Sequence, residues 1–183
     1  MALKSTIFKA TLQIADMDRA HYATQSLTLA RHPSETDERL MMRLLAWSLQ
    51  TPADEDDGAL LFGRGISDTD EPDLWHHSLD GRLRHWVEVG QPDDRRLAKA
   101  SGRADRVTVY VYAAAAPIWW AAIKGKVARL SNLEVWQVPA PQSQALAALA
   151  ARSMQLQVTI QDAQLWVGNG EHSVEIHPQR LFP

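Results

Sequence analysis

The chain has 183 residues, 45% of them hydrophobic, enough for one domain with a buried core and too few for two of ordinary size. Its 19 Lys and Arg against 22 Asp and Glu give a net charge of -3, which excludes a global pull toward polyanions and confines any nucleic-acid contact to a local basic patch. The lack of cysteine excludes disulfides and thiolate metal sites.

From the N-terminus, MALKSTIFKATLQIADMD carries charges every few residues and no apolar signal-peptide core, and no later stretch reaches the roughly 18 apolar residues of a spanning helix. A soluble, cytoplasmic protein without membrane contact is expected. Ser5 to Ile14 and Tyr22 to Leu29 alternate apolar with polar residues and read as a hairpin. A helix follows, with Ser34 as cap and Leu40, Met41, Leu44, Leu45 and Leu49 at helical spacing. After an acidic loop, Ala59 to Phe62 is a short strand, and Gly63 to Glu71 is a polar loop. Two strands then flank Asp80-Gly81, a strong hairpin signal.

Pro92-Asp93-Asp94 opens a second helix, running to about Ala104, with acids near the positive end of its dipole. Val107 to Tyr112 is a β-branched and aromatic strand. Beyond it come a Trp-rich helix from Pro117 to Leu130, a strand from Leu133 to Val138, and an Ala/Leu helix from Gln142 to Met154. A last hairpin, Leu156 to Ile176, turns at Gly168-Asn169-Gly170. The order from Ser34 to Tyr112 is helix, three strands, helix, strand, and a right-handed crossover makes the last strand parallel to its neighbour. The expected class is α/β: a mixed central sheet flanked by helices, with hairpins at both ends, in one domain over 1–183.

A two-residue Asp-Gly turn sets Leu79 opposite Arg82, and counting back pairs Trp75 with Trp86, Leu74 with Val87, and Asp73 with Glu88. Directly opposed like charges repel. Protonation, a basic side chain between them, or a divalent cation can neutralise the pair, and a slipped register leaves both acids solvated. Glu38 adds a carboxylate at the edge of the buried stripe of the first helix, and Gly90 leaves space beside Glu88 where a strand hands over to a helix. Arg95, Lys99 and Arg103 recur every four residues as a basic stripe, a solvated face or a set of phosphate contacts. His76 and His85 pair across the strands without a third metal ligand and read as surface imidazoles.

Asp73 after Pro72, Glu88 in the next strand and an acid on the first helix resemble the PD-(D/E)XK nuclease superfamily, whose core has the same element order. There the two acids hold Mg²⁺ and a Lys two residues after the second positions the attacking water; here that place holds Gly90. The blocks MALKSTIFKATLQIADMDR, LARHPSETDERL, FGRGISDTDEPDLW, WVEVGQPD and VTIQDAQLW further resemble the bacterial YaeQ family along nearly the whole chain. That resemblance implies a PD-(D/E)XK-like fold without fixing a reaction. It makes Asp73 and Glu88 candidate ligands for Mg²⁺ or Mn²⁺ and Glu38 the helix acid. Gln91 or Lys99 is then the substitute for the missing Lys. The expected function is a metal-dependent nuclease or phosphodiesterase acting on DNA or RNA; the alternative is a catalytically inactive nuclease-fold protein with a binding or regulatory role.

Overall fold

Alternation in the N-terminal third produces two long strands. In the computed structural model, which describes residues 4–183, β1 (Thr6–Asp16) and β2 (His21–Arg31) pair antiparallel across a four-residue turn. The first three residues of the expected 1–183 domain, which also open the charged N-terminal run, lie outside the described residues. The first helix, α1 (Asp37–Gln50), begins after Thr36, whose side chain accepts a hydrogen bond from the Arg39 N–H and caps the helix in place of Ser34. Every residue from Leu40 to Ser48 is buried, so α1 is a core helix rather than a surface helix with one apolar stripe.

Next come β3 (Ala59–Phe62), β4 (Leu74–His77), β5 (Leu83–Val89), α2 (Asp94–Arg103) and β6 (Arg106–Val111). This is the helix, three strands, helix, strand order read from the sequence. The chain continues through α3 (Ala116–Val127), β7 (Leu133–Gln137), α4 (Ala140–Ala147), β8 (Ser153–Gln161), β9 (Gln164–Gly168), β10 (Ser173–Ile176) and β11 (Gln179–Phe182).

The strands form two sheets rather than the single central sheet expected. A six-stranded sheet runs β11-β7-β6-β5-β4-β3 and a five-stranded sheet runs β10-β9-β8-β1-β2. The second sheet exists because β1 and β8 pair in parallel, which no local turn signals. Their inward rows, Leu12 and Ile14 beside Leu156 and Val158, join α1, α4 and the near face of the six-stranded sheet in one apolar cluster. A second cluster lies on the far face, where Trp86, Val107 and Val109 meet Leu97 of α2 and Ile123 of α3. The layers are therefore sheet, helices, sheet, helices.

Three local readings are corrected. The Ala/Leu helix stops at Ala147 rather than Met154, because Met154, Leu156, Val158 and Ile160 are the buried alternate residues of β8. The C-terminal hairpin is three strands, with an additional turn at Asp162-Ala163, where both residues take positive φ (53° and 59°). The β4–β5 turn also differs. Ser78 N–H donates to the Arg82 carbonyl (2.9 Å) around a three-residue loop, and a bulge beside His77 restores the register predicted for the far end. Among the described residues no helix is long and apolar enough to cross a membrane.

Candidate functional site

The parallel strands β5 and β6 end side by side, and their C-terminal ends open into a cleft of about 460 Å³. Arg39, Glu88, Gly90, Gln91, Arg96 and Tyr112 line it, with Gly65, Ile66 and Thr69 from the loop after β3. Strand ends of parallel sheets are where ligand sites form, because crossover helices leave a crevice there. Gly90 has φ +114° and a Cβ there would meet no atom within 4 Å, so its lack of a side chain keeps the cleft open. Gly65 is required for a different reason: with φ +55°, its Cβ would sit 2.6 Å from Asp73 Oδ1.

At this end of the hairpin Leu74 lies opposite Val87, which brings Asp73 beside Glu88. Each acid is claimed by a different arginine. Asp73, fully buried, accepts from Arg39 Nη2 of α1 at Oδ1 and from the Val89 N–H at Oδ2 (2.7 Å). Glu88, also buried, accepts at Oε1 from Arg96 Nε of α2 (2.6 Å) and from Trp86 Nε1 (2.6 Å). Basic side chains thus answer the repulsion between the facing acids.

The network extends inward. Arg39 Nη1 also donates to Glu35 (3.1 Å), and Arg43 donates to both Glu35 oxygens (2.8 and 3.0 Å). Arg43, Glu35, Arg39 and Asp73 form an alternating chain, and across the hairpin Glu88 and Arg96 form a separate pair, so three arginines face three acids. Burial, followed by the neighbouring Asp73 charge, pushes the Glu88 carboxyl up to about 7 against the opposing pull of Arg96 and Trp86. Burial likewise raises Asp73, opposed by Arg39 and the Val89 N–H. The Tyr112 phenol is pushed up to about 12, chiefly by burial.

The other expected site residues are distributed around this core. Glu38 turns to α4, where its Oε1 accepts from Ser143 Oγ (2.6 Å). Gln91 lines the cleft, whereas Lys99 does not and instead pairs with Asp70. Arg95 and Lys99 are exposed on α2, and Arg103 Nη1 donates to the Asp70 carbonyl (3.2 Å). As arranged, the donors do not fit Mg²⁺ or Mn²⁺. Both Asp73 oxygens and Glu88 Oε1 are already engaged, and no group of three His, Asp or Glu side chains converges among the described residues. His76 and His85 are buried rather than surface imidazoles: His76 Nε2 bonds the Asp57 carbonyl (3.0 Å) and His85 Nε2 bonds Thr108 Oγ1 (2.8 Å). Burial lowers His85 to about 3, leaving it neutral.

The residues missed from sequence are the arginines. A signal existed: Glu35, Arg39 and Arg43 are four apart, and a facing acid pair demands cations. What was not visible is that α1 is buried all round, which draws Arg39 toward the acids rather than toward water.

Two sheets with helices between and outside them, and a charged cleft at parallel strand ends, define a mixed α/β protein. The chain belongs to the YaeQ family, whose model, described as YaeQ protein, matches residues 1–178. It is 44% identical to "Uncharacterized protein YaeQ" of Escherichia coli K12, covering 97% of this chain and 96% of that protein. The relative of the same description in Salmonella typhi is 45% identical over 96% of this chain and 95% of its own length. Among solved structures, the YaeQ protein of Xanthomonas axonopodis pv. citri has 43% identity and a TM-score of 0.89, covering 97% of this chain and 98% of that one. The YaeQ protein of Pseudomonas syringae has 37% identity and a TM-score of 0.91, covering 98% and 97%.

Proposed function

We propose that this chain is a nucleic-acid-binding protein with a PD-(D/E)XK nuclease-like core, whose candidate metal-ligand acids are held by arginines, so that it binds a phosphodiester strand without cleaving it. The observation that carries this reading is the pairing of Asp73 with Arg39 and of Glu88 with Arg96. A hydrolytic site needs those carboxylates for a divalent ion that lowers the pKa of an attacking water. Here both are satisfied by guanidinium groups, and Gly90 stands where the Lys of the resembled motif would be. The order α1, β3, β4, β5, α2, β6 supports the core assignment. Arg95, Lys99 and Arg103 on α2 supply the local basic patch that a net charge of -3 demands of a polyanion binder. A cytoplasmic location goes with this reading.

The test is fluorescence anisotropy with labelled DNA and RNA over a salt series, followed by incubation of the same strands with Mg²⁺ or Mn²⁺. Binding is expected to weaken with salt, and Arg95→Ala with Arg103→Ala to flatten the duplex-DNA slope by about 0.9 for each phosphate no longer neutralised. The strands are expected to stay intact. Metal-dependent cleavage that disappears in Glu88→Gln would establish the hydrolytic reading instead. Failure to bind any strand at low salt would defeat both.

A further inference from the structure

We infer that the tip of the loop over residues 63–72 is a self-occupying strap: it sits on the cations of α2 that a phosphate strand would use, so closing the loop and binding a polyanion compete. The inference rests on the nucleic-acid reading above and adds a regulation of that site. Three α2 cations on successive turns each find a partner on this one loop. Arg96 donates from Nη1 to the Thr69 carbonyl and from Nη2 to the Glu71 carbonyl (2.7 Å), while its Nε holds Glu88. Lys99 Nζ pairs with the Asp70 carboxylate. Arg103 Nη1 donates to the Asp70 carbonyl. A carboxylate and three carbonyl oxygens thus present to α2 what a phosphate backbone presents, anionic and polar acceptors along one segment of chain.

The loop can move because its ends and its tip are held differently. Its ends extend the β3–β4 ladder, with Gly63 N–H donating to the Asp73 carbonyl (3.0 Å) and Gly65 N–H to the Pro72 carbonyl (3.3 Å). Its tip is held partly by an exposed pair, the Asp70 side chain being 73% and Lys99 50% accessible. Exposed ion pairs are weak and salt-screened, so a strand carrying many charges can replace one. Ile66 and Thr69 also wall the cleft, so a displaced tip widens the way to Glu88 and Gln91.

The experiment compares wild type, Asp70→Ala, Asp68→Asn and Lys99→Ala. It measures binding of a short fluorescein-labelled oligodeoxynucleotide by anisotropy and hydrogen exchange over residues 63–72 with and without that strand. Asp68→Asn removes the same charge from the same loop, where the acid pairs with Arg64 rather than α2, and keeps the Oδ1 that accepts the Asp70 N–H (2.9 Å), so it controls for charge alone. Asp70→Ala is expected to tighten binding about three- to fivefold, the size of one exposed ion pair. Asp68→Asn should leave affinity near wild type, Lys99→Ala should weaken it, and bound DNA should speed exchange across the loop tip. DNA binding that is unchanged or weaker in Asp70→Ala, or loop exchange indifferent to bound DNA, overturns the strap and leaves the nucleic-acid reading standing. No binding by wild type or Asp70→Ala at low salt defeats that reading and the strap with it.

Discussion

The two sheets handle polar groups in opposite ways. In the five-stranded sheet one face is buried and the other meets water, so β8 alternates without interruption and exposed Gln155 and Gln157 need no partner from the chain. In the six-stranded sheet β5 has helices over both faces and every residue from His85 to Val89 is buried. A carboxylate at that depth is almost wholly dry, even where Glu88 borders the cleft, and Asp73 and Glu88 are each held by a guanidinium. Side chains of the covered sheet are thus constrained by their partners, those of the open sheet by pattern alone.

The greatest loss falls on the covered side. Arg39→Ala strands Asp73 and half of the Glu35 network and should cost about 3–5 kcal/mol in urea unfolding, the range for removing one partner of a buried pair. A smaller effect is pH-dependent. The Glu88 carboxyl, near 7 in the folded chain against 4.5 as its reference, holds a proton that the unfolded chain releases between those values. Its contribution is therefore complete below the lower value and is lost as pH rises through the upper one, a change of about 3 kcal/mol. Glu88→Gln, which cannot titrate, should flatten that window in a stability-versus-pH series. The slightest change belongs to the open face: Gln157→Ala should move stability by no more than about 0.5 kcal/mol in the same urea experiment.

Sequence was most informative where structure is local and one-sided. The β1–β2 hairpin, the helices α1 and α2, and the β5–α2–β6 crossover follow from alternation, spacing and caps. The cross-strand register at Trp75 and Trp86 was reached through a turn of the wrong length, because the bulge near His77 offsets the extra loop residue. Long-range features were hidden. Pairing of β1 with β8 is a tertiary choice: the alternation from Leu156 reads as a hairpin strand, but nothing local assigns it β1 as a partner, and the Ala/Leu run carries the helix reading two residues into β8, to Met154. The positive φ at Asp162-Ala163 is set by the tight β8–β9 turn and carries no glycine to announce it. At the site, the acids were legible from a hairpin count, but Arg39 and Arg96 were not, since only packing on both faces shows which cations can reach a buried carboxylate.

The most direct test of the arginine-held acids is a Mn²⁺ titration of thermal unfolding in wild type and Glu88→Gln. The prediction is no saturable, metal-dependent stabilisation of wild type, because its carboxylates are already engaged. A saturable rise, reaching about 2.7 kcal/mol at one hundred times the dissociation constant and abolished in Glu88→Gln, would contradict it.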